Sequence, residues 1–543
     1  MNLIQEITQV FSRYKGKAAI SHYVPPNSSM TLTYGQLGER VGEFARFLQV
    51  QGMQPGDLIM CYMSKSLELV VSILAVMLNG GVCSSFYSKQ NPQYPLKLLS
   101  IAYPRFLLLD ESTLRNMKKS MRTTGSGNEY PVYMKYSELQ GIEFRQDRCG
   151  KTIYVLNDPS GKNDNRKEEP ATSGCLDNAV CCLFTSGSTG VPKGVLISRE
   201  DLLRRAMTEI EDYELTDQDS LLSLLPFSFD VGLNQLLSSL LSGSHLVILN
   251  SWFPKDILTT IRSQRITGVS GVPSIWADVI AYPKEPDFDQ FVRDLRYITV
   301  SGGDLAKNQL AQLRQYLKNT KIYKTYGQTE TFRSSILKPP HFEKKMTSVG
   351  RPVKGTQVFI LNDKGEIAPP NIEGEIVHYG VGTMLGYIND LEGTNGKLRE
   401  IVESVRRTVK EGKLVFTGDR GKMDQEGYLY VLGREDGMIK TLGNRVYPKE
   451  IESCLLEHEH VKNAAVVGIR DERKGQMIIA EVIGNGALDR QRLMVFLKER
   501  LPYYMIPGEI NIVERLPMTE NGKIKYTTIK EKYEERRFLQ SHS

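Results

Sequence analysis

Histidine and cysteine are both scarce, at seven each in 543 residues. Cys61, Cys83, Cys149, Cys175, Cys181, Cys182 and Cys454 show no CxxC pairing, and the histidines, the loose pair His458 and His460 included, form no HExxH set. Neither a structural zinc site nor a disulfide scaffold is expected. Cys181 and Cys182 sit in the apolar run Ala179-Val-Cys-Cys-Leu-Phe184, where reduced thiols act as small hydrophobes. Long hydrophobic runs are missing too. The longest, Leu67 to Leu78, includes Glu68 and Ser72 and falls short of the ~20 residues that cross a bilayer, so no membrane span is expected. The N-terminal residues have no basic flank leading into an apolar signal core, and a cytoplasmic location is expected. A strong charge excess is also missing: 69 Lys and Arg against 63 Asp and Glu give +6. That is too little for this length to imply nucleic acid as a partner, and the charged segment Lys530 to Arg537 reads as a solvated helix face.

What is present is an ordinary globular composition, 40% apolar and 24% charged, long enough for several structural units. Short apolar runs such as Phe106 to Leu109, Leu246 to Leu249, Ile298 to Val300 and Ala464 to Gly468 alternate with amphipathic segments, the pattern of an α/β protein. Helices are expected over 67–78 and 304–317, the second N-capped by Asp304 after the Gly302-Gly303 turn. Residues 157–173, rich in charge and turn formers, are expected to form a surface loop. The composition changes again near Gly433-Arg-Glu-Asp-Gly437. We therefore expect an N-terminal core over 1–432, a hinge over 433–437 and a C-terminal lobe over 438–543.

The strongest local signal is Leu183-Phe-Thr-Ser-Gly-Ser-Thr-Gly-Val-Pro-Lys-Gly-Val195. Glycines let successive N–H groups turn onto phosphate oxygens, the hydroxyls add donors, and Lys193 adds charge. The run is not the P-loop of ordinary NTPases, because Pro192 precedes the lysine and Gly194 follows it. Further stations follow in order: Leu32-Thr-Tyr-Gly-Gln-Leu37, Tyr326-Gly-Gln-Thr-Glu330, Phe416-Thr-Gly-Asp419, Gly433-Arg-Glu-Asp436, Ile439-Lys-Thr-Leu-Gly-Asn-Arg445 and Asn521-Gly-Lys523. Together they resemble the acyl-adenylate-forming superfamily, which includes acyl-CoA synthetases, adenylation domains of nonribosomal peptide synthetases and firefly-type luciferases. The resemblance implies a large N-terminal domain of two α/β sheets plus a distorted β-barrel, with a small mobile α+β C-terminal lobe hinged at Asp436.

It also implies roles. ATP phosphates would be held by Thr185, Ser186, Gly187, Ser188, Thr189, Gly190 and Lys193. Gly302 and Gly303 would let backbone approach the purine, and Tyr326, followed by Gly327, would stack on it. Thr329 would contact phosphate and Glu330 would hold Mg²⁺, a hard ion that prefers oxygen ligands. Asp419 would accept from the ribose hydroxyls, supported by Arg434. Lys523 would reach from the C-terminal lobe to the substrate carboxylate and the α-phosphate. Taken alone, these side chains read as a turn-capping Asp, a surface Arg and a solvated Lys. One departure stands out: Lys324 occupies the position where amino-acid-activating members often carry Asn to contact adenine.

Pro226-Phe-Ser-Phe-Asp230 lies where many CoA synthetases read Pro-Leu-Phe-His. Asp230 there resembles the aspartate of amino-acid adenylation domains, a fixed counter-charge for the substrate ammonium, with a helix N-cap as its rival reading. Substrate-lining positions implied by the resemblance are Val231, Asn234, Gly271, Thr299, Ser301, Thr325, Arg333 and Ser334, a small polar set. Arg333 is either a partner for a second substrate carboxylate or a structural residue. The expected reaction is ATP-dependent, Mg²⁺-assisted formation of an aminoacyl-adenylate, followed by transfer to the phosphopantetheine thiol of a separate carrier protein, with the Gly443 loop admitting the thiol. A CoA ligase acting on a non-amino acid and a non-catalytic nucleotide- or partner-binding member are the alternatives.

Overall fold

A computed structural model describes residues 2–25, 28–86, 94–123, 141–145, 152–157, 176–185, 191–282, 288–305, 307–442, 444–471, 474–486, 488–519 and 522–541. The expected loop over 157–173, apart from Asn157 at a strand end, and Ser186 to Gly190, Gly443, Cys149 and Cys175 lie outside them.

Two large sheets dominate the N-terminal part. Six strands of the nine-stranded sheet run parallel, in the spatial order Ala18–Val24, His245–Leu249, Ser220–Ser223, Gly268–Gly271, Tyr297–Val300, Lys321–Tyr326. Antiparallel Ser28–Thr33 and Ser335–Leu337 extend it on either side. An eight-stranded sheet holds Leu58–Tyr62, Val82–Phe86 and Phe106–Leu109 at its centre and the hairpin Ala179–Thr185 with Lys193–Ser198 toward one edge. Helices Leu67–Leu78 and Asp230–Ser242 are buried on nearly every face, as expected of elements sandwiched between layers. One hydrophobic cluster joins them to both sheets through residues such as Ile59, Cys61, Leu221 and Ile248.

Local chemistry explains the element boundaries. The early motif starts a helix: the Thr33 hydroxyl accepts from the Gln36 N–H at 3.2 Å and the Gln36 side-chain oxygen accepts from the Thr33 N–H at 2.9 Å, a capping box for Tyr34–Val50. The helix expected from Asp304 instead begins at Lys307. Asp304 is unavailable as its cap because its carboxylate pairs with Lys324 at 2.9 Å and Lys449 at 3.2 Å.

A third, antiparallel sheet occupies the place of the expected barrel, built on Thr356–Leu361, Gly374–Gly380, Lys413–Met423 and Leu398–Glu400, with Leu429–Arg434 on the long strand. The chain then enters a fourth sheet at Ile439–Thr441, centred on the hairpin Val461–Asp471 with Gly475–Gly484. This C-terminal domain has its own core around Ile451, Val466 and Leu493. Cys61, Cys83, Cys181, Cys182 and Cys454 are buried free thiols. Among the described residues no helix is long and apolar enough to cross a membrane.

Candidate active site

Parallel strands direct their carboxyl ends toward one edge, the usual location of ligand crevices in open α/β sheets. A cavity of about 50 Å³ lies there, room for a few water-sized groups. Its floor is Ser301 and Gly302, following strand Tyr297–Val300, and Thr325 to Thr329 at and after the end of Lys321–Tyr326. Asp230, Val231 and Asn234 enter from the start of helix Asp230–Ser242, and Arg333 closes one side. Lys523 arrives from the C-terminal domain, its Nζ 5.2 Å from the Phe229 ring centroid. The next contact between the domains holds that loop down: Ser274 donates to the Gly522 carbonyl at 3.2 Å.

Two glycines make this geometry possible. Gly302 has φ +75°, and a Cβ there would lie 3.3 Å from Lys523 Cε and 3.2 Å from Phe229. At Gly327 a Cβ would overlap the Phe332 carbonyl oxygen at 1.6 Å, because the turn folds back on Phe332 and Arg333. Gly303 packs against Pro273.

Asp230 is the first residue of its helix, not the cap; Phe229 holds the cap position without a side-chain bond. Its Oδ1 accepts from the Val231 N–H at 2.9 Å. Burial raises its pKa from 3.8 to about 6, opposed first by the positive charge of Lys523. A buried carboxylate facing a cavity wants a cation.

On the other side of Tyr326, Asp419 Oδ2 accepts from the Tyr326 hydroxyl and from Gln328 Nε2, both at 2.7 Å. Its Oδ1 has only a long 3.5 Å contact with Arg434 Nη1, so that oxygen is free to accept from a ribose hydroxyl. Burial raises Asp419 above the ordinary carboxylate range, and Arg434 opposes it. Arg434 in turn grips Asp436 with two bonds of 3.0 Å. Glu330 is buried and its Oε1 accepts from the Tyr387 hydroxyl at 2.7 Å. Lys193 lies 4.8 Å from the Tyr387 ring centroid and 3.4 Å from Asp390. Thr185 and Lys193 are register partners across the hairpin that carries the glycine-rich run. The carboxylate oxygens of Asp419 and Glu330 and the ammonium of Lys193 are of the chemistry that a nucleotide accompanied by magnesium would need.

Three expected lining residues are elsewhere. Gly271 packs under the Trp276 indole, 2.7 Å from a Cβ placed on it. The Thr299 hydroxyl is tied to Ser301 at 3.2 Å and its carbonyl accepts from Trp276 Nε1 at 2.8 Å. Ser334 is buried between Thr331 and His378, at 3.1 and 3.0 Å. Thr299 and Ser334 thus shape the wall from behind. Sequence reasoning missed Glu209 and Tyr213, which line the cavity from helix Arg199–Tyr213, and Tyr387 and Lys397. Burial lowers Lys397, whose Nζ donates to the Thr417 carbonyl at 2.6 Å. None of the four sits in a recognisable string. Lys324 is buried and held by Asp304 and the Met346 carbonyl, away from the cavity lining.

Two domains meeting over a crevice, with nucleotide-type donors on one and a lysine supplied by the other, define an adenylate-forming enzyme, an AMP-forming ligase. The chain belongs to the AMP-binding enzyme family, whose profile matches residues 7–388, with the family's C-terminal domain matching 450–523. Bacitracin synthase 3 of Bacillus licheniformis is 27% identical over 497 residues, 91% of this chain, but the chain spans only 7% of that protein. Zwittermicin A synthase ZmaJ of Bacillus cereus is 27% identical over 507 residues, 91% of this chain and 89% of that one. In fold, the chain is similar to ATP-bound MatB from Rhodopseudomonas palustris, with a TM-score of 0.78, 22% identity, and coverage of 98% of this chain and 99% of that one.

Proposed function

We propose that this ligase activates a small amino acid. The substrate carboxylate attacks the α-phosphorus of ATP, the bond to the β-phosphate oxygen breaks, and an aminoacyl-adenylate and pyrophosphate result. A phosphopantetheine thiol, on a carrier protein or CoA, then attacks the acyl carbon, loses its proton and expels AMP. Asp230 carries the reading: a buried carboxylate on the cavity wall is a costly feature that an incoming α-ammonium would satisfy. Lys523 opposes the build-up of negative charge as two anions are brought together. Thr329, Lys193 and the run 185–190 hold the phosphates, and Glu330 carries Mg²⁺, which supplies charge neutralisation when bound.

Lys523 and Asp230 line one cavity, and the second step needs a long thiol arm to reach the same acyl carbon. We therefore assign residues 433–437 as the hinge on which the C-terminal lobe, 438–543, turns away from the core, 1–432, between the two steps. The Arg434 grip on Asp436 would set its resting angle, and Gly443 would line the opened path. The test is ATP–pyrophosphate exchange across amino acids and their des-amino counterparts. The proposal expects exchange with an amino acid and little with its des-amino acid. Equal use of both would replace it with acyl-CoA ligase activity on a non-amino acid.

A further inference from the structure

One cation outside the cavity lining ties the two large sheets together at the carboxyl ends of their strands. Lys65 follows strand Leu58–Tyr62 of the eight-stranded sheet and precedes Ser66, the cap of helix Leu67–Leu78. Its Nζ crosses to the nine-stranded sheet and donates to the carbonyls of Ser223, Leu224 and Leu225 at 2.8, 3.0 and 3.4 Å, where strand Ser220–Ser223 ends. An ammonium has three N–H donors and no acceptor, so this one is matched by three consecutive carbonyls. The Lys65 carbonyl accepts in turn from Asn250 Nδ2 at 2.8 Å, one residue past strand His245–Leu249. Burial lowers the pKa of Lys65 from 10.5 to about 7, with no carboxylate opposing it. A desolvated ammonium answered only by backbone dipoles makes strong, directional bonds.

The clamped carbonyls lie on two routes to reacting groups. Along the chain, Leu225 leads directly into Pro226-Phe-Ser-Phe-Asp230. The Phe229 N–H donates back to the Pro226 carbonyl at 3.1 Å, and a Cβ on Gly232 would lie 2.2 Å from that same oxygen. This turn is therefore packed hard onto the start of the helix that bears Asp230. Across space, the Leu224 carbonyl also accepts from Trp252 Nε1 at 3.3 Å. The Trp252 ring supports the turn before Lys523: a Cβ on Gly522, at φ +73°, would lie 3.0 Å from the indole and 2.9 Å from the Ser274 hydroxyl. A shift of residues 223–225 is thus passed to Asp230 through Pro226 and to Lys523 through Trp252.

We propose that Lys65 is a positioning residue for adenylate formation, its ammonium fixing the Ser223, Leu224 and Leu225 carbonyls so that Asp230 and Lys523 are presented together at the cavity. The inference rests on the roles proposed for those two residues. Lys65 does not itself line the cavity and acts through what it holds. Misplacing reacting groups by about 1 Å can lower the rate by about 10²-fold.

Lys65→Met keeps most of the stem and removes the ammonium. Pyrophosphate exchange, beside a thermal melt, should be followed with ATP and with the acid that the wild-type enzyme uses fastest among the twenty proteinogenic amino acids and their des-amino counterparts. The variant is expected to raise KM for the acid at least tenfold and to lower kcat/KM for it by about 10²-fold. KM for ATP should stay within threefold, because Asp419, Lys193 and Glu330 stand outside this network. An unfolded fraction would change neither KM, and general loosening would raise both. Trp252→Phe keeps an aromatic ring beside Gly522, removes only the bond to Leu224, and should raise KM for the acid at least threefold with the ATP value unchanged; it carries the test should Lys65→Met fail to fold. Kinetics within threefold of wild type in a folded Lys65→Met protein, or equal rises in both KM values, would overturn the inference, as would an unaltered Trp252→Phe enzyme where Lys65→Met is unfolded. Lys523→Ala in parallel separates the claims: retained exchange there ends the role given to that lysine, whereas an inactive Lys523→Ala beside a wild-type-like Lys65→Met ends this inference alone. Exchange with no acid at all would end both.

Discussion

Replacing Asp230 with Asn should move activity and stability in opposite directions. The carboxylate and its amide are nearly isosteric, so packing at the helix start is retained and only charge is lost. Removing one partner of a buried ion pair costs about 3–5 kcal/mol, which at 1.36 kcal/mol per decade corresponds to a loss of roughly 10²- to 10⁴-fold in kcat/KM for an amino acid. Without substrate, the same carboxylate is a burden. Burial raises its pKa from 3.8 to about 6, so the folded protein binds that proton more tightly than the unfolded chain. The resulting stabilisation is complete below about pH 4 and is lost as pH rises through about 6. Asp230→Asn removes a penalty of up to about 3 kcal/mol at pH 8, and the gain should fade toward pH 5. The wild-type kcat/KM should show an acid limb near pH 6, absent in the variant. Urea melts at pH 5 and 8, paired with pyrophosphate exchange over the same range, provide the assay. An Asn variant that keeps amino-acid exchange within threefold of wild type, or that is less stable at pH 8, would refute the reasoning.

Gly302→Ala places a Cβ at φ +75° against Lys523 and Phe229; exchange should fall at least tenfold with a stability loss of only about 1–2 kcal/mol, and unchanged exchange would contradict the close docking of the lysine. Asp304→Asn leaves Lys324, itself almost fully buried, without its carboxylate and releases Lys449 of the C-terminal domain; a loss of about 3–5 kcal/mol in the denaturation midpoint analysis is expected. Lys449→Ala, which breaks only the link between domains, should change stability by less than about 1 kcal/mol yet slow exchange, and a variant indistinguishable from wild type in both would mean that the pair does not hold the two domains together.

Much of this was legible in the chain because local chemistry and local structure coincide. The mostly apolar run from Leu67 to Leu78 became a helix with those bounds, and Thr33 with Gln36 capped the helix that the early motif opens. The ordered motifs gave the family, and Lys523 lies beside Asp230 as a long-range consequence that no periodicity carries. Other features depended on partners remote in sequence. Asp304 looked like a helix cap until Lys324 and Lys449 claimed it. Gly271, Thr299 and Ser334 occupy the right strands or turns but face Trp276, Ser301 and His378 instead of the cavity. Glu209 and Tyr213 sit on an otherwise ordinary amphipathic helix, and only the packing of that helix against Asp230–Ser242 brings them to the site.

The central claim is that an ammonium supplied by the C-terminal domain offsets charge while the adenylate forms, and the direct measurement is pyrophosphate exchange by Lys523→Ala beside its thermal melt. The account predicts a loss of two to three orders of magnitude, about 3–4 kcal/mol of transition-state stabilisation, with the melt essentially unchanged because this side chain is exposed and bound to no carboxylate in the described ion pairs. Exchange close to that of the wild-type enzyme in a folded Lys523→Ala protein would contradict it.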